Sequence, residues 1–144
     1  MLSKFFTFCA LLKLIDCSKH AHHRQFCPAV TEESKWWNGN QWLECIAINS
    51  TTWTVIQKRT LSQESSINFN QNWNEYVTGF GNNRSPVITF NSSLQYWIGL
   101  RQISKMTKFS TSLRLELMLE NGVLKFAEER SFIKYKHKFT LKFV

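Results

Sequence analysis

Hydrophobic and polar positions change period along this chain, and each change marks an element. Trp53, Val55 and Gln57 alternate with Thr54, Ile56 and Lys58, and β-branched and aromatic residues fill the run. Residues 53–59 are therefore predicted to form a strand. From Asn72 the period lengthens: Trp73, Tyr76, Val77 and Phe80 fall at i, i+3, i+4 and i+7, one face of a helix. Asn72 offers an N-cap oxygen, Glu75 stands at the capping-box position, and Gly79 supplies the left-handed angle that stops the helix. Further on, Leu113, Leu115, Leu117 and Leu119 alternate with Arg114, Glu116, Met118 and Glu120. That pattern predicts a half-buried strand with a leucine face and a wet charged face. Asn121-Gly122 predicts a two-residue hairpin turn, and Val123 to Glu128 the returning strand, with Leu124 and Phe126 on one face.

The segments between these runs are shorter. Val87-Ile88-Thr89-Phe90 reads as a brief strand within a polar loop. Tyr96-Trp97-Ile98-Gly99-Leu100 is a compact apolar run, and Leu100, Ile103 and Met106 continue as a short helix. A third alternation, Phe139, Leu141 and Phe143, begins near Val144. None of these units buries its rings alone, so one α+β domain is expected, a mainly antiparallel sheet carrying short helices.

Residues 1–21 carry the marks of a secretory leader. Lys4 precedes an apolar run from Phe5 to Ile15 that is too short to span a bilayer. Lys13 interrupts that run, and no small-x-small site marks the cut; Ala21 and Cys17 are the options. Cleavage near Ala21 removes Cys9 and Cys17 and leaves Cys27 and Cys45, an even pair in an oxidising compartment, so a disulfide is expected. Cleavage before Cys17 leaves a third cysteine as a rival partner for Cys45. No spacing is C-x-x-C, and His20, His22 and His23 read as a solvated arm rather than a metal site. The domain proper is then residues 22–144.

Composition narrows the function. With 144 residues, 43% hydrophobic content and 15% aromatics, the sequence has material for one core. The formal net charge is +8. A basic tract of Lys134, Lys136, His137, Lys138 and Lys142 reads as the solvent face of the last strand rather than a phosphate or sulfate site. The lysines gather at one end and the aromatics are spread through the core, which argues against nucleic acid as partner. Asp16 is the sole aspartate, so an Asp-rich calcium loop is not expected. No metal site and no other cofactor is indicated. No nucleophile elbow, phosphate loop, H-E-x-x-H or paired carboxylate occurs, and no catalytic residue is assigned. Three sequons, at Asn49, Asn83 and Asn91, lie in stretches read as turns or loops, and Pro86 weakens the second. Trp36-Trp37-Asn38-Gly39 reads as a turn, with one ring expected over a Cys27–Cys45 link and an exposed sugar platform as the alternative.

Taken in order, these blocks resemble the fibrinogen C-terminal domain family. Trp53-Thr54-Val55-Ile56-Gln57-Lys58-Arg59, Asn68-Phe69-Asn70, Trp73 to Gly81, Tyr96 to Leu100, Ile103, Met106-Thr107, Leu113 to Leu119, Phe126-Ala127 and Ser131-Phe132 carry the likeness. Cys45 and Cys27 stand where that family has its first disulfide. Asn49 to Thr52 replace the family's glycines before Trp53, and the loop from Gly81 to Tyr96 is longer than is typical. The family also continues past the position of Val144 into an Asp-based calcium loop, a second disulfide and a recognition pocket. Those have no counterpart in this sequence, so no binding residue is carried over. The resemblance implies a small N-terminal disulfide lobe and a central twisted sheet without the C-terminal subdomain. It implies a secreted, non-enzymatic recognition protein for acetylated sugars, microbial surfaces or extracellular proteins. Self-association into a homo-oligomer, and a partial domain without binding activity of its own, are the alternatives.

Overall fold

The computed structural model describes residues 8–16, 27–60, 67–81, 95–107 and 111–132. Its strands are β1 (Phe8–Asp16), β2 (Ser34–Trp37), β3 (Trp42–Ile48), β4 (Thr51–Thr60), β5 (Phe80–Gly81), β6 (Tyr96–Trp97), β7 (Thr111–Leu119) and β8 (Leu124–Phe132). Two short helices, α1 (Trp73–Thr78) and α2 (Leu100–Met106), lie between β4 and β7 in sequence. The sheet runs β2-β3-β4-β1-β7-β8, with β6 pairing β4 and β5 beside it. Every pairing is antiparallel. The α+β class and the fibrinogen-like sheet expected from the sequence are what the structure shows.

β4 is the axis of this arrangement. β1 takes one of its edges, and β3 and β6 share the other, β3 along Thr51 to Thr54 and β6 at Gln57 and Lys58. Trp53, Thr54, Val55, Ile56 and Gln57 are all buried, so both faces of the strand are covered. The alternation of Trp53 and Val55 with Thr54 and Ile56 thus marks two buried faces. Ile15, Leu43, Tyr96, Ile98, Ile103 and Met106 complete the core around it.

The segment read as a leader gives the largest departure. Phe8–Asp16 is a strand inside the sheet, between β4 and β7, and Ile15 is fully buried. An apolar run short enough for a leader is also the right composition for a central strand. The cleavage options Ala21 and Cys17 and the histidine cluster lie outside the described residues, as do Asn83, Asn91, Val87 to Phe90, the basic tract and the run from Phe139 to Phe143.

Several local expectations are met. Asn72 Oδ1 accepts from the Glu75 N–H at 3.1 Å and opens α1, and Gly79, at φ 94°, closes it. A Cβ on Gly99 (φ 98°) would stand 2.7 Å from the Thr78 carbonyl carbon, so the two segments meet backbone to backbone. Trp73, however, is 70% exposed, because the buried side of α1 is carried by Tyr76 and Val77, both half-buried.

The leucines of β7 are half-buried as expected, but the expected wet face of the β7–β8 hairpin is not wet. Arg114 and Glu116 are buried, while Leu124 and Phe126 are exposed. Arg114 Nε donates to Glu116 at 2.7 Å, its Nη1 pairs with Glu128, and its guanidinium lies 3.9 Å from the centroid of the Phe126 ring. The charge is satisfied on three sides, which is what a buried guanidinium requires. The turn also takes one residue more than Asn121-Gly122 predicts. The Gly122 N–H bonds the Leu119 carbonyl, the Leu119 N–H bonds the Val123 carbonyl, and Gly122 sits at φ 78°. The tight two-residue turn is instead Asn49-Ser50, with φ 49° and 63°, between Ile48 and Thr51.

A disulfide joins Cys27 to Cys45, both buried. The Cys27 N–H donates to Thr54 Oγ1 and the Val30 N–H to Thr52 Oγ1 at 3.1 Å, so the segment before β2 lies along β4. Beside the disulfide, buried Glu44 accepts from Lys58 Nζ at 2.7 Å and from the Tyr96 hydroxyl at 2.9 Å. Loss of water pushes the Tyr96 hydroxyl well above its ordinary range, with the Glu44 charge adding to it. Glu33 is exposed as a whole residue, but its carboxyl end approaches Glu44. Its pKa is raised by lost hydration, then by the charge of Glu44 and the hydrogen bond to it, with Lys58 opposing.

Three outcomes are expected. Gly99→Ala forces a strained φ and a backbone clash, and its urea midpoint should fall by the equivalent of about 1–3 kcal/mol. Tyr96→Phe removes a donor to a buried carboxylate, and equilibrium unfolding should show a loss of about 1.5–3 kcal/mol. Glu33 binds its proton more tightly folded than unfolded, so its contribution is complete below about pH 4.5 and lost as pH rises through the folded value. Thermal melts between about pH 4 and 7 should therefore decline less steeply in Glu33→Gln than in the unaltered protein.

Candidate functional site

The β2–β3 hairpin and the α1–β5 junction close around an open cleft of about 350 Å³. Trp37, Asn40, Gln41 and Trp42 line one wall, and Thr78, Gly79, Phe80 and Trp97 the other. Two segments far apart in sequence are thereby brought together by the pairing of β4 with β6 and of β6 with β5.

The first wall is built by strand register. Trp37 stands directly opposite Trp42, and their rings lie 5.4 Å apart at 53°. The turn between them is held by Asn38, whose Oδ1 accepts from the N–H groups of Asn40 at 3.0 Å and Gln41 at 2.9 Å. Trp36 and Trp37 thus belong to a strand rather than a turn, and being adjacent they point to opposite faces. Trp36 is 39% and Trp37 49% exposed. Trp37 pairs with Trp42 and faces the cleft, while Trp36 stands opposite Leu43, two residues along from the Ser34–Cys45 pair.

The second wall is stiffened from behind. Trp97 Nε1 donates to the Tyr76 carbonyl at 2.8 Å, and the Tyr76 hydroxyl donates to the Phe69 carbonyl at 2.7 Å. Phe69 meets Phe80 edge-on at 5.3 Å, and Tyr76 meets Phe80 at 5.2 Å and 83°. Such edge-to-face stacks fix ring orientation beyond what burial alone provides. Arg59 caps the stack, its guanidinium 3.8 Å from the Phe69 centroid.

The chemistry of the cleft follows from this lining. It offers indole and phenyl faces, a threonine hydroxyl and two side-chain amides, and no ionisable side chain. Buried Gln41 Nε2 and Asn38 Nδ2 are donors without a partner among the described residues.

Of the residues singled out from the sequence, Cys27 and Cys45 lie bonded beneath β4, and Asn49 sits exposed at the tip of the β3–β4 turn with Thr51 opening the next strand. Neither contributes to the cleft. Among the described residues no group of three or more His, Cys, Asp or Glu is placed to hold a metal ion, and no helix is long and apolar enough to cross a membrane. Trp36-Trp37 is the sequence signal for this site. Its partners Phe80 and Trp97 carry no local signal, because only the sheet brings them near.

Comparison with known proteins agrees with the architecture. The family model for the C-terminal globular domain of fibrinogen β and γ chains matches residues 45–143, more than half of the sequence. Fibrinogen-like protein 1 of Mesocricetus auratus is 33% identical over 85 residues, covering 59% of this chain and 23% of its own length. Angiopoietin-related protein 1 of Mus musculus is 39% identical over 83 residues, covering 56% of this chain and 14% of its own length. The fibrinogen β chain of Gallus gallus is 37% identical over 73 residues, covering 49% of this chain and 15% of its own length. The chain spans less than a quarter of the length of these relatives. No solved structure matches it significantly. With its disulfide, its sheet and the span of that match, the protein belongs to the family of C-terminal globular domains typified by fibrinogen β and γ.

Proposed function

We propose that this protein is a secreted, non-enzymatic recognition domain whose aromatic cleft holds a sugar ring of an extracellular glycan or glycoprotein, the acetylated sugars of microbial surfaces among them. The observation that carries the reading is the cleft of Trp37, Trp42, Trp97 and Phe80, edged by uncharged amide and hydroxyl groups. A pyranose has one apolar face of C–H groups and a rim of hydroxyls. An indole covers the first, and an exposed amide such as Asn40 answers the second. Among the described residues the lining carries no ionisable side chain, which suits a neutral ligand. The disulfide requires an oxidising compartment, and the leader-like residues 1–21 would deliver the protein there. The exposed Asn49 turn is then open to glycosylation. A second reading, a partial domain without binding activity of its own, draws on the exposed Val123, Leu124 and Phe126 of the outer hairpin.

A glycan array probed with the purified protein is expected to show saturable binding to a subset of sugars. Trp37→Ala should weaken that binding about tenfold, near 1.4 kcal/mol, with an unchanged melting temperature. A silent array for the unaltered protein, or equal binding by the variant, overturns the assignment. Glycosidase treatment of material from secreting cells should shift its mass, and Asn49→Gln should remove one glycan from that shift.

A further inference from the structure

The dipeptide Asn-Gly occurs twice, at Asn38-Gly39 and at Asn121-Gly122. In such a pair the glycine nitrogen can attack the asparagine side-chain amide, because glycine sets no Cβ in the way. We propose that Asn121-Gly122 is a site of spontaneous modification, where the Asn121 amide is hydrolysed through a cyclic imide to isoaspartate and aspartate.

The turn between β7 and β8 holds Asn121 in a reactive posture. Its Oδ1 accepts from the Val123 N–H at 3.1 Å, which folds the amide carbon back over the intervening Gly122 nitrogen. The same N–H remains on that oxygen as it takes up negative charge in the tetrahedral adduct. Asn121, Gly122 and Val123 are all exposed, and a Cβ built on Gly122 would meet nothing within 4 Å. A ring and a water molecule therefore have room. One bond opposes the attack, from the Gly122 N–H to the Leu119 carbonyl at 2.9 Å. It lies at an exposed hairpin tip, where local opening costs little.

The step balances with water as the sole co-reactant. The Gly122 nitrogen gives its proton to solvent and bonds to Asn121 Cγ. The bond from Cγ to Nδ2 breaks, and the nitrogen leaves with a proton as ammonia. Water then adds to either carbonyl of the ring. Opening at the side-chain carbonyl gives aspartate; opening at the backbone carbonyl gives isoaspartate, with the chain rerouted through Cβ and Cγ.

Asn38 shows that exposure decides between the two pairs. Its Oδ1 accepts from the Asn40 and Gln41 N–H groups in a similar arrangement. The residue is only 6% exposed, however, so water has no path to the ring and ammonia none out of it.

The product changes the hairpin tip. Isoaspartate adds one methylene to the backbone and replaces a neutral amide by a carboxylate, lowering the formal net charge of +8 by one. The bonds from the Gly122 N–H to Leu119 and from the Leu119 N–H to Val123 both span the lengthened loop. The tip is thereby loosened beside exposed Val123 and Leu124, while the Arg114–Glu128 pairing lies further down the hairpin.

The test incubates the folded, full-length protein in neutral buffer at body temperature and digests samples with trypsin. Cleavage after Arg114 and Lys125 releases residues 115–125, in which Asn121 is the only side-chain amide. The mass gain from amide to acid in that peptide reports Asn121, and labelling by an isoaspartate-specific methyltransferase reports the rearranged product. Folded Asn121 is expected to convert within about tenfold of the rate in the free 115–125 peptide, and Asn38 at least about tenfold more slowly than Asn121. With the protein reduced and unfolded in urea, the difference between the two sites should vanish. Gly122→Ala should slow conversion about tenfold in the protein and in the free peptide, where turn strain plays no part. Folded Asn121 slower than that bound, Asn38 keeping pace with it, or aspartate formed with no isoaspartate would each overturn the proposal.

Discussion

Coverage of β4 on both faces and both edges is the constraint from which the rest of the molecule follows. A strand buried on two sides has no polar face to spend, so it must be apolar or carry hydroxyls and amides that find partners inside. Trp53, Val55 and Ile56 meet the first condition, and Thr52 and Thr54 the second, by accepting from the Val30 and Cys27 N–H groups. The N-terminal lobe is attached through the same strand. The Cys27–Cys45 bond ties the segment before β2 to β3, and β3 pairs with β4. Through β6, which borrows a short stretch of the same edge, β4 also sets the position of the far wall of the cleft.

Among the described residues charge is buried in two places, and each time it is clamped by more than one group. Glu44 has Lys58 and Tyr96, and Arg114 has Glu116, Glu128 and the face of Phe126. Such clusters add little net stability against an apolar alternative, but breaking one partner strands the other in a poor solvent. They fix register instead. Lys58 can reach Glu44 only with β3 and β4 in their present alignment, and Arg114 reaches Glu128 only across the observed β7–β8 pairing.

Much of this is legible in the sequence wherever a local rule suffices. The cap at Asn72, the stop at Gly79, the strand from Trp53 and the two cysteines each carry their own signal. The failures share a cause, which is that burial depends on neighbours. Leucines on β7 have the pattern of an inner face, but an arginine that can lie flat on Phe126 and pair with two glutamates is buried more fully. Trp73 fits the helical stripe yet is exposed, since among the described residues the core is met by the Tyr76 and Val77 side of α1. A leader and a central strand share one composition, so residues 8–16 read equally as either. Half of the cleft is visible as paired tryptophans; the other half arrives through pairing between remote segments, which no local pattern encodes.

The Asn49-Ser50 turn closes the end of β3 remote from Trp42. Seven steps of extended backbone separate them, roughly 23 Å at about 3.3 Å per step. A branched oligosaccharide attached there would project away from the tryptophans instead of shielding them. A glycan at that tip, if attached as proposed, would serve solubility and stand-off from neighbouring molecules without competing for the concave face that Trp37 and Trp42 open to solvent.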